Sequence, residues 1–269
     1  MSSVKQKLKE STLIYKSFGN FRVLKNRFRD LFLNQPKELK MLKNKYYGNS
    51  CFVVATGPSL TLDDLNLIKG FYSFSCNSIL SCFDKTSWRP DFYCISDKEI
   101  FSLYSNLVNE SGLQNIFLPT DLKERFSVGH TGFNRSYSQH IKGIYYKTFK
   151  NIVFPSKRPD KFFNDATSVT FFCIQIAVYL GFTSIYLLGQ DCNYSTASLH
   201  SDVAKSKYTG MVNKNAGNGM IECFDNYHSF YRKKGIKIIN CTRGGMLEVF
   251  PRKSLEEVIE KLKDKNKNG

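Results

Sequence analysis

Hydrophobic residues are densest between Asn164 and Tyr194, where the pattern predicts a helix, a tight turn, a strand and a polar loop. Apolar residues surround nearly the whole predicted helix, which indicates burial on more than one side. Gly181 is suited to end this helix in a left-handed conformation. Ser184–Leu188 is a short apolar strand typical of the interior of a parallel sheet. The polar loop Gly189–Tyr194 therefore follows the carboxyl end of a buried strand, where open α/β sheets place their sites.

Apolar runs and helical periodicity alternate along the rest of the chain. Strands are predicted at Cys51–Ala55, Phe71–Cys76, Phe92–Ser96, Asn115–Leu118, Ile236–Asn240 and Leu247–Phe250, the last as an edge strand. Helices are predicted at about 61–69, 98–108 and 221–234, and a capping box at Ser254–Glu257 opens a final helix that is expected to fray from 263 to 269. Strands that alternate with helices are typical of an α/β domain with a mostly parallel sheet and helices on both of its faces.

Three segments interrupt this alternation and define the predicted organisation of the chain. Residues 1–48 form a basic helical extension, and the α/β domain occupies residues 49–269. Periodicity is lost at about 123–161, which predicts a lid or subdomain over the sheet edge, because long irregular loops are often functional. Residues 195–219 are polar and contain glycine and lysine, which predicts a flexible flap. A chain of 269 residues accommodates one domain with these additions.

Positive charge is concentrated in the N-terminal extension. Residues 1–47 hold 12 Lys or Arg against 3 Asp or Glu, which is +9 of the net +16 of the whole chain. Apolar residues recur at helical spacing from Phe21 to Phe32, and such a basic amphipathic helix can lie on an anionic membrane surface. The alternative is a helix that packs on the domain or forms a dimer contact. No nucleic-acid-binding motif accompanies the charge, so nucleic acid is not an expected partner.

The cysteine pattern favours a reducing compartment. The chain has 8 Cys, with no C-x-x-C pair and no Cys/His cluster at zinc spacing, so we expect buried, reduced thiols and no bound metal. The N-terminus lacks the continuous apolar core of a signal peptide, and no apolar run approaches the roughly 20 residues of a membrane span. We therefore expect a cytoplasmic protein, either dissolved or peripheral on the inner face of the cytoplasmic membrane.

Polar or glycine-containing segments follow the first three predicted strands. A turn at Thr56–Leu60 contains Gly57, and a glycine turn lets backbone N–H groups approach a phosphate or nucleotide. This turn matches neither G-x-G-x-x-G nor a Walker loop. Asn77 and Asp97 follow the second and third strands and would lie at the same edge of the sheet. The alternatives are an ordinary strand–helix turn and two helix caps.

Four segments together carry a family resemblance: Ala55–Leu60, Ser75–Asn77, Arg89–Asp97 and Ala166–Asp191. They resemble the motility-associated factor (Maf) glycosyltransferase-like domain and are similar to the bacterial sialyltransferases of glycosyltransferase family 42, from about residue 49 to 250. The resemblance implies a Rossmann-like fold and a metal-independent, inverting transfer of a sialic-acid-like or other acidic sugar from a CMP-activated donor, without a further cofactor. The chain has no Asp-x-Asp pair of the kind that holds a metal against a sugar diphosphate.

The resemblance also implies which residues hold the donor. The glycine turn and the Asn after the second strand would hold the nucleotide, and the Thr-Ser pair that opens the central helix would line the donor or acceptor site. With the strand-end residues added, the donor-site candidates are Thr56, Gly57, Pro58, Ser59, Asn77, Asp97, Thr167, Ser168 and Gly189. The expected acceptor is a surface glycan, a lipid-linked saccharide or flagellin.

Three positions depart from the pattern of the family. Thr56 stands where an Asn is expected, and Asp165 stands where an Arg is expected. A His-Ser pair expected shortly before the penultimate helix is absent, and Asn215–Asn218 lies there instead. The catalytic base must therefore be assigned from other residues.

Five residues are considered for the chemistry. His200 is the first candidate for the base, because the pKa of histidine lies near working pH and this residue follows the polar loop; the alternative is a surface histidine. His228 is second, although its helical context favours packing. Asp191 could orient the base, bind the sugar or cap the strand end. Tyr194 and Tyr208 could donate hydrogen bonds to a phosphate or could serve only in packing.

Three hypotheses for function remain open. The first is the glycosyltransferase described above. The second is a pterin-type pyrophosphokinase, since a related archaeal branch of the same domain family transfers pyrophosphate to a pterin. It would use ATP and magnesium and would need further carboxylates around Asp97 and Asp191. The third is a non-catalytic protein that binds a nucleotide or a glycan.

Overall fold

The computed structural model describes residues 35–119, 144–146, 148–149, 153–164, 166, 168–194, 200–208 and 215–267. Its strands are β1 (Ser50–Val54), β2 (Ser73–Cys76), β3 (Phe92–Cys94), β4 (Asn115–Pro119), β5 (Ile144–Tyr146), β6 (Thr148–Phe149), β7 (Phe163–Asn164), β8 (Ser184–Leu188) and β9 (Lys237–Asn240). Its α-helices are α1 (Lys37–Lys40), α2 (Leu62–Leu67), α3 (Lys98–Glu110), α4 (Val169–Leu180), α5 (Ala216–Arg232) and α6 (Leu255–Lys267), and a 3-10 helix spans Asn77–Cys82.

Seven of these strands form one parallel sheet in the order β5-β4-β3-β2-β1-β8-β9. From β1 the chain adds strands in one direction as far as β5, and it then returns to place β8 on the other side of β1. Val54 of β1 accordingly pairs with Ser75 on one side and with Leu188 on the other. The strand order therefore reverses between β1 and β8, and such a switch point is where open α/β sheets bind ligands. The predicted Rossmann-like α/β class is confirmed.

Alternate residues of the strands enter two separate cores, one on each face of the sheet. Cys51 and Val53 of β1 pack into the core that contains α4 and α5. Phe52 and Val54 pack into the opposite core, which contains residues of α2, α3 and α6. This alternation follows from the two-residue period of a strand. Both faces of the sheet are therefore covered by helices, as the sequence predicts.

Helix α4 lies at the centre of the first core. Each of its residues except Val178 is buried, which confirms the expected burial on several sides. Gly181 ends the helix with a φ of +104°, as predicted. A Cβ atom at Gly181 would lie 2.8 Å from the backbone nitrogen of Tyr47, so the site also needs glycine because the chain before β1 crosses it closely.

The last part of the predicted N-terminal extension packs onto the domain. Leu39 is fully buried in the core of α4 and α5. The backbone N–H groups of Asn44 and Tyr46 donate to the last carbonyl groups of α4, at 3.1 and 2.8 Å. The boundary predicted at residue 48 therefore falls inside the packed unit. The rest of the basic extension, residues 1–34, lies outside the described residues.

Four local predictions differ from the structure. The edge strand predicted at Leu247–Phe250 is wrong: these residues form no strand, and the Leu247 carbonyl accepts from the Asn240 amide and the Arg252 guanidinium. Strand β5 was missed, since it lies in the segment predicted to be a lid. Helix α5 begins at Ala216, inside the predicted flap. Helix α6 continues to Lys267, beyond the start of the predicted fraying at Lys263.

All eight cysteines lie in the described ranges, where each is buried and none forms a disulfide bond. Of the predicted lid, residues 123–143, 147 and 150–152 lie outside the described part of the chain. Within the described ranges, no helix is long and apolar enough to cross a membrane.

Candidate active site

A pocket opens at the switch point between β1 and β8, with a volume of about 520 Å³ that includes the open solvent at its mouth. Its walls come from the turn after β1, the end of β2, the start of α4, the loop after β8, and one residue each from the 200–208 segment and α5. The lining residues are Ala55, Thr56, Gly57, Pro58, Cys76, Asn77, Ser168, Val169, Thr170, Gly189, Gln190, Asp191, Cys192, Asn193, Tyr194, His200 and Met220. Most of the predicted donor-site residues thus come together in one cavity.

The turn after β1 needs glycine because the loop after β8 presses against it. The Gly57 N–H donates to the carbonyl oxygen of Gly189 at 2.9 Å. A Cβ atom on Gly57 would lie less than 3.0 Å from both that carbonyl oxygen and the Asp191 carboxylate. The backbone of the turn therefore approaches the loop more closely than any side chain permits.

Asp191 braces this turn. Its carboxylate accepts a hydrogen bond from the Ser59 hydroxyl at 2.9 Å and longer ones from the Ser59 backbone N–H, at 3.3 and 3.4 Å. Burial raises the pKa of Asp191 above its ordinary value, and the hydrogen bonds from Ser59 oppose that shift. The described contacts of the Asp191 carboxylate thus join two loops that are 132 positions apart in the chain.

His200 lies in the pocket against the same turn. Its Nδ1 is 3.4 Å from the Thr56 hydroxyl oxygen. Burial lowers the pKa of His200, and an interaction with the Thr56 backbone partly opposes the shift. The neutral imidazole is therefore the dominant form near pH 7. A neutral imidazole in a ligand-sized pocket can accept a proton from a substrate.

The residues after His200 are anchored rather than extended into solvent. The Ser201 N–H donates to the Thr56 carbonyl at 2.9 Å, and the Ser201 hydroxyl donates to the Leu60 carbonyl at 2.6 Å. Ala204 is fully buried, and its carbonyl accepts from the Ser78 hydroxyl. Of the predicted flap, residues 200–208 thus fix His200 beside the turn, and residues 195–199 and 209–214 lie outside the described part.

Two lining residues, Asn77 and Gln190, each carry a buried amide oxygen that the described contacts leave unsatisfied. The side-chain oxygens of Asn77 and Gln190 have no hydrogen-bond partner within the described parts of the chain. A buried acceptor without a partner costs about 1–3 kcal/mol, so such groups commonly face a ligand or ordered water. Asn77 has a φ of +48°, and Cys192, which lines the same pocket, has a φ of +53°. Strained backbone of this kind concentrates at functional sites.

The start of α4 contributes backbone donors to the pocket. Ser168 caps the helix by accepting from the Thr170 N–H at 3.4 Å, and both residues line the cavity with Val169. The first N–H groups of a helix, together with the helix dipole, favour a negatively charged group. Tyr194 lies opposite, where its hydroxyl donates to the sulfur of Met220 at 3.3 Å. Since a thioether is a weak acceptor, this hydroxyl can turn to a better one.

Some predicted residues lie elsewhere. Asp97 is not among the lining residues: its carboxylate caps α3 by accepting from the N–H groups of Glu99 and Ile100, at 2.8 and 3.0 Å. Tyr208 is also outside the lining set, as is His228, whose ring packs at 5.2 Å from that of Phe250. Asp97 thus acts as a helix cap and His228 packs against another ring, which are the alternatives that the sequence left open for them. Thr167 lies outside the described residues.

Eight of the lining residues were not among the individual sequence candidates: Ala55, Cys76, Val169, Thr170, Gln190, Cys192, Asn193 and Met220. Gln190 and Cys192 flank Asp191 in the loop after β8, and Met220 comes from the first turns of α5. The position of Gln190 directly after a strand-end glycine was a usable signal. No local pattern marks Met220, because it reaches the pocket through the packing of α5 on α4.

The lining residues contain one carboxylate, that of Asp191, and it is directed at Ser59. Within the described ranges no three His, Cys, Asp or Glu side chains are arranged to hold a metal ion. The lining residues include neither Lys nor Arg. The pocket therefore presents neutral donors and acceptors together with one imidazole.

The sheet order and the position of the pocket define a Rossmann-like α/β protein with a ligand site at the topological switch point. A family model described as "6-hydroxymethylpterin diphosphokinase MptE-like" matches residues 25–197. This match covers well over half of the chain, so the chain belongs to the MptE-like family. The predicted kinship with Maf-like glycosyltransferase domains is confirmed. No functionally curated protein matches the chain significantly.

Two solved structures resemble the fold. The Maf glycosyltransferase from Magnetospirillum magneticum AMB-1 has a TM-score of 0.52 and 18% identity, over 81% of this chain and 38% of that chain. The sialyltransferase CstII from Campylobacter jejuni, solved with the substrate analogue cytidine-5'-monophosphate, has a TM-score of 0.47 and 16% identity, over 77% of this chain and 85% of that chain. The present chain thus spans less than two fifths of the Maf protein.

Proposed function

We propose that this protein is a glycosyltransferase that moves a sialic-acid-like or other acidic sugar from a CMP-activated donor to an acceptor hydroxyl, with inversion and without a metal ion. The observation that carries the proposal is the position of His200, a buried imidazole held against the glycine turn inside the pocket at the switch point. The acceptor would be a surface glycan, a lipid-linked saccharide or flagellin. The fold of the two similar structures, both of glycosyltransferases, supports this assignment.

The donor would be held mainly by neutral groups. Backbone N–H groups at the start of α4 would contact the phosphate of CMP, and the Tyr194 hydroxyl would leave the Met220 sulfur to donate to it. Burial raises the pKa of Tyr194, so this hydroxyl keeps its proton near pH 7. The unpartnered oxygens of Asn77 and Gln190 would accept from N–H or O–H groups of the nucleoside. Neutral donors suit a leaving group whose negative charge grows during the reaction.

His200 would act as the general base. In the tautomer with the Nδ1 proton directed at Thr56, the Nε2 lone pair accepts the acceptor hydroxyl proton. The hydroxyl oxygen then forms a bond to the anomeric carbon, while the bond from that carbon to the phosphate oxygen breaks. CMP leaves with the electron pair of the broken bond, and the proton remains on His200 until solvent removes it. Attack opposite the leaving group inverts the anomeric centre.

Transfer from CMP-activated acidic sugars in the presence of EDTA tests this proposal. We expect His200→Gln to lower kcat by about 10²–10⁴-fold, the usual contribution of a general base, and to leave the Kd for CMP within about threefold. His228→Gln serves as the matched control, since its ring packs on Phe250 away from the pocket. The proposal fails if the wild-type protein turns over no CMP-sugar, or if both histidine variants retain full activity.

The family description favours a second candidate, a pyrophosphokinase that acts on a pterin. That reaction moves a diphosphate from ATP and normally uses magnesium held by carboxylates. In the described pocket, only Asp191 supplies a carboxylate, and Ser59 occupies both of its oxygens. The donor set therefore fits this reaction less well than sugar transfer. Magnesium-dependent formation of AMP from ATP with a hydroxymethylpterin would establish the second candidate.

A further inference from the structure

A second cavity lies at the other ends of α4 and α5. In α4, Thr170 lines the switch-point pocket and Tyr179 lines the second cavity. In α5, Met220 lines the switch-point pocket and Tyr231 lines the second cavity. At 1.5 Å of rise per residue, these pairs are roughly 14 and 16 Å apart along the helix axes. Its volume is about 500 Å³, including the open solvent at its mouth, and it is lined by Lys43, Asn44, Ser156, Pro159, Phe163, Gln175, Val178, Tyr179, Phe230, Tyr231 and Lys234.

One wall of the second cavity is fixed by a buried glutamine. The Gln175 side-chain oxygen accepts from the N–H groups of Ser156 and Asn164, both at 3.1 Å. Its side-chain nitrogen donates to the Asn164 carbonyl at 2.8 Å. These bonds attach the 156–164 segment to α4, so the cavity is formed without a ligand. Most of the remaining wall is apolar, with Phe163, Val178 and Phe230 among its residues.

The cavity contains a buried hydroxyl that lacks a partner. Tyr179 is 4% exposed, and its hydroxyl has no hydrogen-bond partner in the described ranges. Burial, with the nearby charge of Asp160, raises the pKa of Tyr179 to about 12. The group is therefore a protonated donor near pH 7, and a buried donor without an acceptor is unfavourable. A ligand with an acceptor oxygen would satisfy it.

Two lysines, Lys43 and Lys234, line the same cavity. The Lys43 ammonium is 5.9 Å from the centre of the Tyr179 ring, and the Lys234 ammonium is 4.4 Å from the centre of the Phe230 ring. Lys43 also pairs with Asp160 at 2.7 Å, but both groups are about half exposed. An exposed pair of this kind contributes little, so an anionic ligand can compete for Lys43.

The chain segments that contribute lining residues to the second cavity are rich in basic residues and contain exposed apolar side chains. Met41 and Phe154 are 73% and 53% exposed and are close in sequence to lining residues. The segments 37–48, 153–162 and 232–237 supply the surrounding charges, and their only acidic residues are Glu38 and Asp160. Their basic residues are Lys37, Lys40, Lys43, Lys45, Lys157, Arg158, Lys161, Arg232, Lys233, Lys234 and Lys237. Basic surface with apolar side chains is typical of a site that meets anionic lipid.

We propose that the second cavity binds a phosphate-bearing lipid: the phosphate takes hydrogen bonds from the Tyr179 hydroxyl and the ammonium groups of Lys43 and Lys234, and the apolar part contacts Phe163 and Phe230. All three donors line one cavity whose other walls include apolar side chains, so a ligand with an anionic group and an apolar part matches its lining. This site does not depend on the reaction at the switch-point pocket. It would hold the basic face of the domain at a membrane surface.

Calorimetric titration of the full chain with dihexanoyl phosphatidic acid, below its micelle concentration, tests the site. Tyr179→Phe should weaken binding about tenfold, the value of one hydrogen bond to a charged group, while its Tm stays the same or rises. The double variant Lys43→Gln with Lys234→Gln should weaken binding more. The double variant Lys233→Gln with Lys237→Gln removes the same charge from exposed positions outside the lining set and should bind like the wild type.

Three results would overturn the proposal. The first is an equal loss of lipid affinity in both double variants, which would show only general attraction to a basic surface. The second is an unchanged affinity in Tyr179→Phe. The third is binding of inorganic phosphate as tight as that of the lipid, which would identify a free phosphate site.

A vesicle assay tests the membrane role of the same site. With phosphatidylcholine vesicles, we expect added phosphatidylglycerol to increase sedimentation of the wild type more than that of the cavity double variant; an equal increase would argue against the lipid assignment.

Discussion

Replacement of Gly57 by alanine tests the close contact between the turn after β1 and the loop after β8. The new Cβ atom would lie less than 3.0 Å from the Gly189 carbonyl and the Asp191 carboxylate, so the turn and the loop must separate. Separation breaks the Gly57–Gly189 hydrogen bond, which contributes about 1 kcal/mol, and the bonds of Ser59 to Asp191, which contribute about 2 kcal/mol. We therefore expect the free energy of unfolding to fall by about 3 kcal/mol.

The same substitution at Gly219 is the matched control. Gly219 lies in α5 with no heavy atom within 4 Å of the position of an added Cβ, so alanine should stabilise the helix by about 0.5–1 kcal/mol. Urea unfolding gives both free energies, and calorimetry gives the affinity for CMP. For Gly57→Ala we expect CMP binding at least about tenfold weaker, because the turn is displaced from the pocket. A Gly57→Ala protein with wild-type stability and CMP affinity would refute the packing described here.

Three further predictions concern single side chains. Because burial lowers the pKa of His200, the acidic limb of the transfer rate should have its midpoint below 6.5 and should vanish in His200→Gln; a midpoint above 6.5 would contradict the burial. Tyr194→Phe should lower kcat/KM about tenfold through one lost hydrogen bond to a charged group, whereas Tyr208→Phe should not, and equal effects in the steady-state rates would argue against the Tyr194 role. Asp97→Ala should lower the free energy of unfolding by about 1 kcal/mol, the value of a helix cap, with no change in CMP affinity. Weaker CMP binding by this variant would instead indicate that Asp97 contributes to the nucleotide site.

The local parts of the fold follow from the sequence. The burial of α4, its end at Gly181 and the apolar strand β8 are set by residues within one short segment, so periodicity and one glycine predict them. The order of the strands is different, because Ser50 pairs with Ser184 across more than 130 positions. No local pattern encodes such a pairing. The expectation of a site at the strand ends nevertheless needed only the general rule that parallel strands share one carboxyl edge.

The site was only partly predictable, because several side chains had two chemically sound interpretations. Asp191 and Asp97 both follow strands, yet one braces the turn in the pocket and the other caps α3. His200 and His228 likewise differ only in what surrounds them in the fold. The contact of Asp191 with Ser59 depends on the register of β1 against β8, which the sequence does not display. Gln190 could not be selected from the sequence in the same way, because only the structure shows that its side-chain oxygen is buried without a described partner.

The wrong strand at Leu247–Phe250 has a physical cause. The apolar residues of this segment suit an edge strand, but the Leu247 carbonyl accepts side-chain hydrogen bonds from Asn240 and Arg252. Side chains that bond the backbone compete with sheet ladders. Leu247 and Phe250 are buried, so the pattern correctly predicts their burial and fails only for their backbone hydrogen bonds.

Calorimetric titration of the full chain with CMP and with ATP, each in EDTA and in magnesium, tests the central claim that the switch-point pocket is a CMP-sugar donor site. The pocket presents neutral donors and a single carboxylate already engaged by Ser59. We therefore predict that CMP binds with the same affinity in EDTA and in magnesium, and that ATP binds at least about tenfold more weakly in both. Binding of ATP only in magnesium, with no binding of CMP, would contradict the claim and favour the pyrophosphokinase.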